Sequence, residues 1–286
     1  VILSRGGRVA EVPFHYAPRK SGYSKARVWR WLFSYALLFW RVPAIRLGRA
    51  GMRAGLTALG LAVATSLCGI NWCLPGPQRW RALPPSMRAP EAARGMAEAW
   101  RALYSEIDRS HRDMRSEEPV TYLQGVETFA AGWTDPPAKL LNSCRATLLQ
   151  SEHPDEKKAF IILSRMRPWR LEFKPLYVQY GGGFIYPLGA WLAAAAKLGL
   201  ATLSPDPAYY LEQPAAMGRL YLLGRLFMAL FHVGAVGLVF LLALRIGGWR
   251  AGLIGAALYA LCPTVIENTH LIKPHAYATF WMLAAL

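Results

Sequence analysis

The chain has 286 residues, 54% of them hydrophobic and only 17% charged, which is too apolar for an ordinary water-soluble domain. Its formal net charge of +16 could suit nucleic acid, but the basic residues crowd beside apolar runs, where such charge sets membrane topology and meets anionic lipid. Cys68, Cys73, Cys144 and Cys262 lie mostly within apolar stretches and have no metal-type spacing, so neither a disulfide framework nor a zinc site follows.

Residues 1–26 read as a soluble tail, with "GRVAEVPFHY" alternating like a strand and "PRKSGYSK" following as a basic turn. Residues 27–47, "RVWRWLFSYALLFWRVPAIRL", have an apolar centre too short to cross a bilayer. Flanked by Arg and Trp, they suit a helix lying in the interface, with a short re-entrant segment as the other option. Residues 1–53 carry 11 Lys and Arg against one acid, Glu11, which argues for a cytoplasmic N-terminal tail. The chain opens with Val and stops inside an apolar run, so both ends read as truncated and no signal peptide is visible.

A hydrocarbon core about 30 Å thick takes roughly 20 apolar residues in a helix. Residues 54–73 provide 20 without a charge, residues 175–196 provide 22, residues 226–244 provide 19 and residues 251–266 provide 16. A last run begins at Ala276. These patterns predict a polytopic membrane protein with spans at about 54–73, 175–203, 220–245, 251–268 and 274–286, and an external loop at about 74–174. Pro84, Pro85 and Pro90 break the start of the loop. Met96, Trp100, Leu103, Tyr104 and Ile107 then recur at helical spacing, which suits an amphipathic helix either on the membrane surface or packed within the loop.

Within the loop, "LLQSEHPDEKKAF" gathers His153, Pro154, Asp155 and Glu156 between apolar runs. Pro154 suits a first helical position, the two acids then fall where the helix dipole favours negative charge, and Lys157 and Lys158 follow. That explains the stretch as a helix start. A second reading is chemical: a carboxylate at the bilayer edge, partly desolvated, would have a raised pKa and could act as a general base. Further along, Arg225 lies six residues beyond Arg219 at the start of an apolar run, and a charge so placed calls for a partner. Gly181 to Gly183 lacks the Lys and Ser/Thr of a phosphate loop and reads as a hinge.

A membrane helix, a long external loop with an acidic pair, and then "EFKPLYVQYGGGFIYPLGAWLAAA" together resemble the integral-membrane GT-C glycosyltransferases. The resemblance is strongest to family 39, the dolichyl-phosphate-mannose–protein mannosyltransferases and their bacterial lipid-A aminoarabinose relatives. "HPDE" is similar to a form of that family's acidic motif, and "GRLFMALFHVGAVGLVF" is similar to its span that opens with an Arg, here Arg225. The likeness covers about residues 51–286 and departs at "HLIKPHAY", where His275 stands in place of an Asp frequent in relatives. It implies a mainly α, GT-C-like membrane module. It also implies inverting transfer of a sugar from a polyprenyl-phosphate donor to a protein or glycolipid acceptor at the outer face. Asp155 would be the base, Glu156 would support it, and the two could together hold a divalent cation, Mg²⁺ or Mn²⁺. Arg225, Arg219, Lys157, Lys158 and Lys273 are the candidate partners of the lipid phosphate, and His153 either orients Asp155 or caps the helix.

The tail carries a second likeness. "EVPFHYAPRKSGYSKARVWRW" is similar to the carboxyl-terminal end of a family-2 polyprenyl-phosphate sugar synthase of the dolichyl-phosphate-mannose synthase type, with Arg19, Gly22, Ser24 and Lys25 matching R-x-x-G-x-S-K. It implies that residues 1–47 end a cytoplasmic α/β domain and its interfacial helix, with Arg19, Ser24 and Lys25 offering charge-assisted bonds to phosphate. Residues 48–286 would then be the membrane module, in a bacterial plasma membrane or an ER-type membrane. The two likenesses point to a fragment of a bifunctional enzyme, with both catalytic units incomplete and the fragment alone inactive. Two rivals remain open: a family-2 enzyme whose membrane segments only anchor it or move lipid, and a non-enzymatic transporter or scaffold marked by Glu267 and His232.

Overall fold

A computed structural model describes residues 48–286, apart from 93, 99–147, 154, 165, 167, 172, 174–179 and 205–206. The expected tail strand and interfacial helix, and Arg19, Ser24 and Lys25 with their expected phosphate contacts, therefore lie outside the described residues, as do Trp100, Leu103, Tyr104 and Ile107. Among the described residues the regular structure is entirely helical. The helices are α1 (Arg49–Leu67), α2 (Pro77–Ala82), α3 (Glu156–Ser164), α4 (Gly182–Lys197), α5 (Pro207–Glu212), α6 (Pro214–Ala260), α7 (Pro263–Thr269) and α8 (Pro274–Ala284). Helical turns also occur between residues 90 and 98.

Two of these helices, α1 and α6, are long and apolar enough to cross a membrane. They pack through a stripe of small residues: Gly51, Ala54, Ala58, Ala62 and Ser66 of α1 are buried at helical spacing, facing Val236 and Phe240. Small side chains let two backbones approach closely and gain dispersion contact. Gly55 lies against the Phe240 ring and Gly237 against Leu59, so the two helices run antiparallel. The other face of α1 presents Met52, Leu56, Val63 and Leu67 to the exterior.

The expected spans are adjusted in three places. The first begins at Arg49 and stops at Leu67, because the chain then turns through Gly69 (φ 78) and Cys73 (φ 56). The third starts earlier than residue 220, at Pro214, and ends where expected: the non-helical Gly247 (φ −138) and Gly248 (φ 76) divide α6 into two helices, the second of which runs to Ala260 and returns along the first, with Gly252 against Phe240. The segment predicted to span 251–268 is divided: Pro263 cannot continue a helix but can open one, so α7 starts there. The second predicted span appears as α4, 16 residues or about 24 Å at 1.5 Å per residue. The loop's first helical turns pack inside the loop layer, with Met96 and Ala97 buried against Leu83, Leu148, Leu149 and Leu211.

A second core joins α3, α4, α6 and the segment before α8, around Ile162, Leu188, Tyr221, Met228 and Ile272. Aromatic rings tie α8 into it: Tyr277 stacks on Phe227 at 6.1 Å and meets Phe231 edge-on at 4.6 Å. Gly224 leaves room at this junction for the buried Ile272 side chain, whose Cδ1 lies 2.5 Å from where a Cβ would stand. Ile272 packs against α6 there, and this approach builds the site.

Candidate functional site

The two acids of "HPDE" begin α3 and part company there. Successive residues on a helix point about 100° apart, so Glu156 turns inward and Asp155 stays at the margin. Glu156 is fully buried. Arg225 donates to both of its oxygens, from Nε to Oε1 at 2.9 Å and from Nη2 to Oε2 at 2.7 Å. The backbone N–H of Ile272 adds a bond to Oε1 at 3.2 Å. Arg225 Nη1 donates to the carbonyls of Ile70 at 2.9 Å and Trp72 at 2.8 Å. The recessed arginine thus has its partner, and the pair pins together the turn after α1, the start of α3, the helix α6 and the strap before α8.

Asp155 sits between two ammonium groups. Lys158 Nζ is 2.7 Å from Oδ1 and Lys273 Nζ is 3.0 Å from Oδ2. His153 Nδ1 lies 3.2 Å from the Asp155 backbone nitrogen, and its Nε2 lies 3.2 Å from Lys273 Nζ. The Tyr180 hydroxyl donates to the Asp155 carbonyl at 3.2 Å. The expectation of a raised carboxyl pKa is corrected here. The hydrogen bond from Lys158, helped by Lys273 and opposed by partial burial, holds the Asp155 carboxyl down at about 2.

The other anticipated residues divide as follows. Lys273 joins Asp155, and the His153 ring meets the Asp155 backbone N–H at the start of α3, a contact of the helix-capping kind, and not the Asp155 carboxylate. Lys157 is half-buried on α3, while Arg219 and His275 are exposed. Arg225 makes four hydrogen bonds within the protein, so its guanidinium serves Glu156 and the turn at residues 70–72. A phosphate reaching it would have to displace one of these. For the acidic pair as a metal site, the oxygens of Glu156 are engaged by Arg225 and Ile272, and those of Asp155 by two cations. Among the described residues, no three His, Cys, Asp or Glu side chains converge to hold an ion. His232 is buried in α6 beside Tyr259, with neither ring nitrogen hydrogen-bonded among the described residues, and Glu267 is exposed on α7.

Sequence reasoning missed Tyr180, Arg79 and the main-chain groups of Ile70, Trp72 and Ile272. Main-chain donors and acceptors carry no residue-type signal, so nothing in the sequence marked the last three. Arg79 donates to the carbonyls of Gln150 at 2.6 Å and Cys73 at 2.7 Å and pairs with Glu152 at 3.1 Å. It fastens the start of the loop to the segment that leads into Asp155. Beside it opens a cavity of about 570 Å³ lined by Asn71, Trp72, Gln78, Arg79 and Glu152. No protein-family model, curated protein or solved structure matches this chain.

Proposed function

We propose that this chain is a polytopic membrane glycosyltransferase of GT-C type, moving a sugar from a polyprenyl-phosphate donor to a protein or glycolipid acceptor at the outer face of a bacterial plasma membrane or an ER-type membrane. The observation that carries this reading is Asp155 standing between Lys158 and Lys273, with the buried Glu156–Arg225 pair behind it, beside the end of α1. A lipid phosphate needs cations near the bilayer edge, and an acceptor hydroxyl needs a carboxylate to take its proton. Here both are adjacent.

Two further features support the reading. Leu56, Val63, Leu230, Ile254 and Leu258 are large apolar side chains left exposed on α1 and α6, as a lipid-facing surface requires. Because α1 and α6 are antiparallel, Arg49 and Arg53 lie at the same end as Arg245 and Arg250, and Ile70 with Arg225 lies at the other. Clustered arginines mark the cytoplasmic side, which turns Asp155 outward.

In the reaction, the acceptor hydroxyl gives its proton to the Asp155 carboxylate as its oxygen bonds to the anomeric carbon. The bond from that carbon to the phosphate oxygen breaks at the same time. Its electron pair leaves with the polyprenyl phosphate, whose charge Lys158 and Lys273 receive. Attack opposite the leaving group inverts the anomeric centre. Glu156 and Arg225 are positioning residues that fix the first turn of α3, and His153 holds the Asp155 backbone. Residues 1–47, as the end of a family-2 synthase, would couple donor production on the cytoplasmic side to donor use outside.

The test is donor dependence. Membranes carrying the full reading frame should pass label from a polyprenyl-phosphate sugar to acceptor without added nucleotide sugar. Label left on the lipid, or transfer from a nucleotide sugar only, contradicts the proposal.

A further inference from the structure

The cavity beside Arg79 has no part in the transfer step described above. Its volume of about 570 Å³ falls in the range of small-molecule sites, about 300–1,000 Å³. It opens where the chain turns from Gly69 to Gly76 after α1 and meets Glu152. Its walls are tied from behind. Arg225 Nη1 donates to the Trp72 carbonyl at 2.8 Å, and the Trp72 N–H donates to the Gly69 carbonyl at 2.9 Å. Arg79 spans the carbonyls of Cys73 and Gln150. A site already held in shape costs less to occupy, because little of it has to be ordered on binding.

The lining selects what fits. Asn71, Gln78 and Glu152 are exposed polar side chains on the wall, and the two amides each offer donors as well as an acceptor oxygen. A wholly apolar ligand would leave these groups unmatched. An anion would meet the Glu152 carboxylate, and a cation would meet the Arg79 guanidinium that pairs with it at 3.1 Å. A neutral molecule dense in hydroxyl groups suits all of them. Trp72 narrows the choice further. Its side chain is 77% exposed, while Ile70 is buried and Leu74 packs on the core. An indole face attracts the positive edges of C–H groups, and a sugar ring carries a face of C–H groups with hydroxyls around its edge.

We propose that this cleft is a carbohydrate-binding site, in which a sugar ring lies against the Trp72 indole while Asn71, Gln78 and Glu152 take its hydroxyl groups. Arg225 holds both the Trp72 carbonyl and Glu156, so the cleft adjoins the start of α3, where Asp155 stands. Resting on the transfer reading, the bound sugar belongs to the acceptor, which makes the acceptor a glycan on lipid or protein and not a bare polypeptide side chain. Binding of the sugar does not depend on that reading. A Trp at this level also suits an anchor in the bilayer interface, a role that requires no cleft and that the test separates.

The probes are three neutral oligosaccharides, mannotriose, maltotriose and chitotriose, added to the full chain in nanodiscs and followed by saturation-transfer NMR of the sugar protons. At least one should bind saturably. Trp72→Ala should weaken it at least tenfold, and Trp72→Phe, which keeps an aromatic face, by less. Asn71→Ala and Gln78→Ala each remove a hydrogen bond and should weaken binding by about two- to tenfold. Gly76 supplies a variant that keeps every proposed contact residue. Its backbone is extended (φ −169) and a Cβ there meets nothing within 4 Å, so Gly76→Leu should fold as the wild type does while its side chain takes up space at the cleft wall and blocks the sugar. Saturable binding that is lost in both Trp72→Ala and Gly76→Leu supports the site. Failure of all three sugars to bind overturns it, as does binding that survives both changes or that inorganic phosphate displaces. If a sugar binds but no label passes from a polyprenyl-phosphate sugar, the transfer reading fails and the cleft stands. If transfer proceeds, no sugar binds and Gly76→Leu leaves the transfer rate unchanged, the cleft is wrong and the transfer reading stands.

Discussion

Replacing Arg225 with Met probes the junction on which the site is built. The substitution removes four hydrogen bonds, two to Glu156 and one each to the carbonyls of Ile70 and Trp72. Glu156, fully buried, keeps only the Ile272 N–H. Removing one partner of a buried ion pair costs about 3–5 kcal/mol, mostly because the remaining charge stays buried without compensation. At roughly 2–4 °C per kcal/mol for chains of this order of size, that is a fall of about 6–20 °C in Tm. Tryptophan fluorescence of the purified chain in detergent, scanned at a fixed rate, measures it. The double variant Glu156→Leu with Arg225→Met leaves no orphaned charge and should recover at least half of the loss, so the two single changes are strongly non-additive. A Tm for Arg225→Met within about 2 °C of wild type, equivalent to under about 1 kcal/mol, would refute the reasoning. So would a double variant that loses the sum of the singles.

Three other outcomes follow from the geometry. Gly224→Ala sets a methyl group within 2.5 Å of Ile272 Cδ1; the buried Ile272 side chain must repack, and thermal unfolding should register a loss of about 1–3 kcal/mol. Asp155 has its folded-state pKa depressed to about 2, chiefly by Lys158, so its contribution to stability is complete above the unfolded carboxylate value of about 3.9 and disappears as pH falls through about 2; in Lys158→Met with Lys273→Met, the Tm should change less steeply with pH across that window. For topology, Glu152→Cys in an otherwise cysteine-free chain should react with a membrane-impermeant maleimide on intact cells, because Glu152 is 72% exposed; labelling only after permeabilisation would place the site on the cytoplasmic side.

Much of this architecture could be read along the chain because it depends on local patterns. Uncharged runs located α1 and α6, the apolar run from Ala276 located α8, and the His-Pro-Asp-Glu stretch located the start of α3. The boundaries moved where single residues decide them. Gly69 and Cys73 turn the chain before the first apolar run is used up, and Pro263 cuts the fourth run in two, while Gly247–Gly248 separates the two helices of α6 between the third and fourth runs. The site was only half legible. Two adjacent carboxylates look alike in a sequence, and the difference between them is set by partners 69 and 116 residues away, Arg225 and Ile272. Arg225 announced itself by standing at the edge of an apolar run, but the identity of its partner did not. The depressed pKa of Asp155 comes first from Lys158, whose sequence spacing allowed the contact without requiring it, and then from Lys273, which only the folding of the strap onto α6 brings near.

The central claim, that Asp155 takes the proton in transfer from a lipid phosphate, is tested most directly by Asp155→Asn in the full reading frame. Transfer from a labelled polyprenyl-phosphate sugar should fall by about 10²–10⁴-fold, the usual contribution of a positioned general base, while the lipid donor still binds. Transfer at the wild-type rate by that variant would contradict the account.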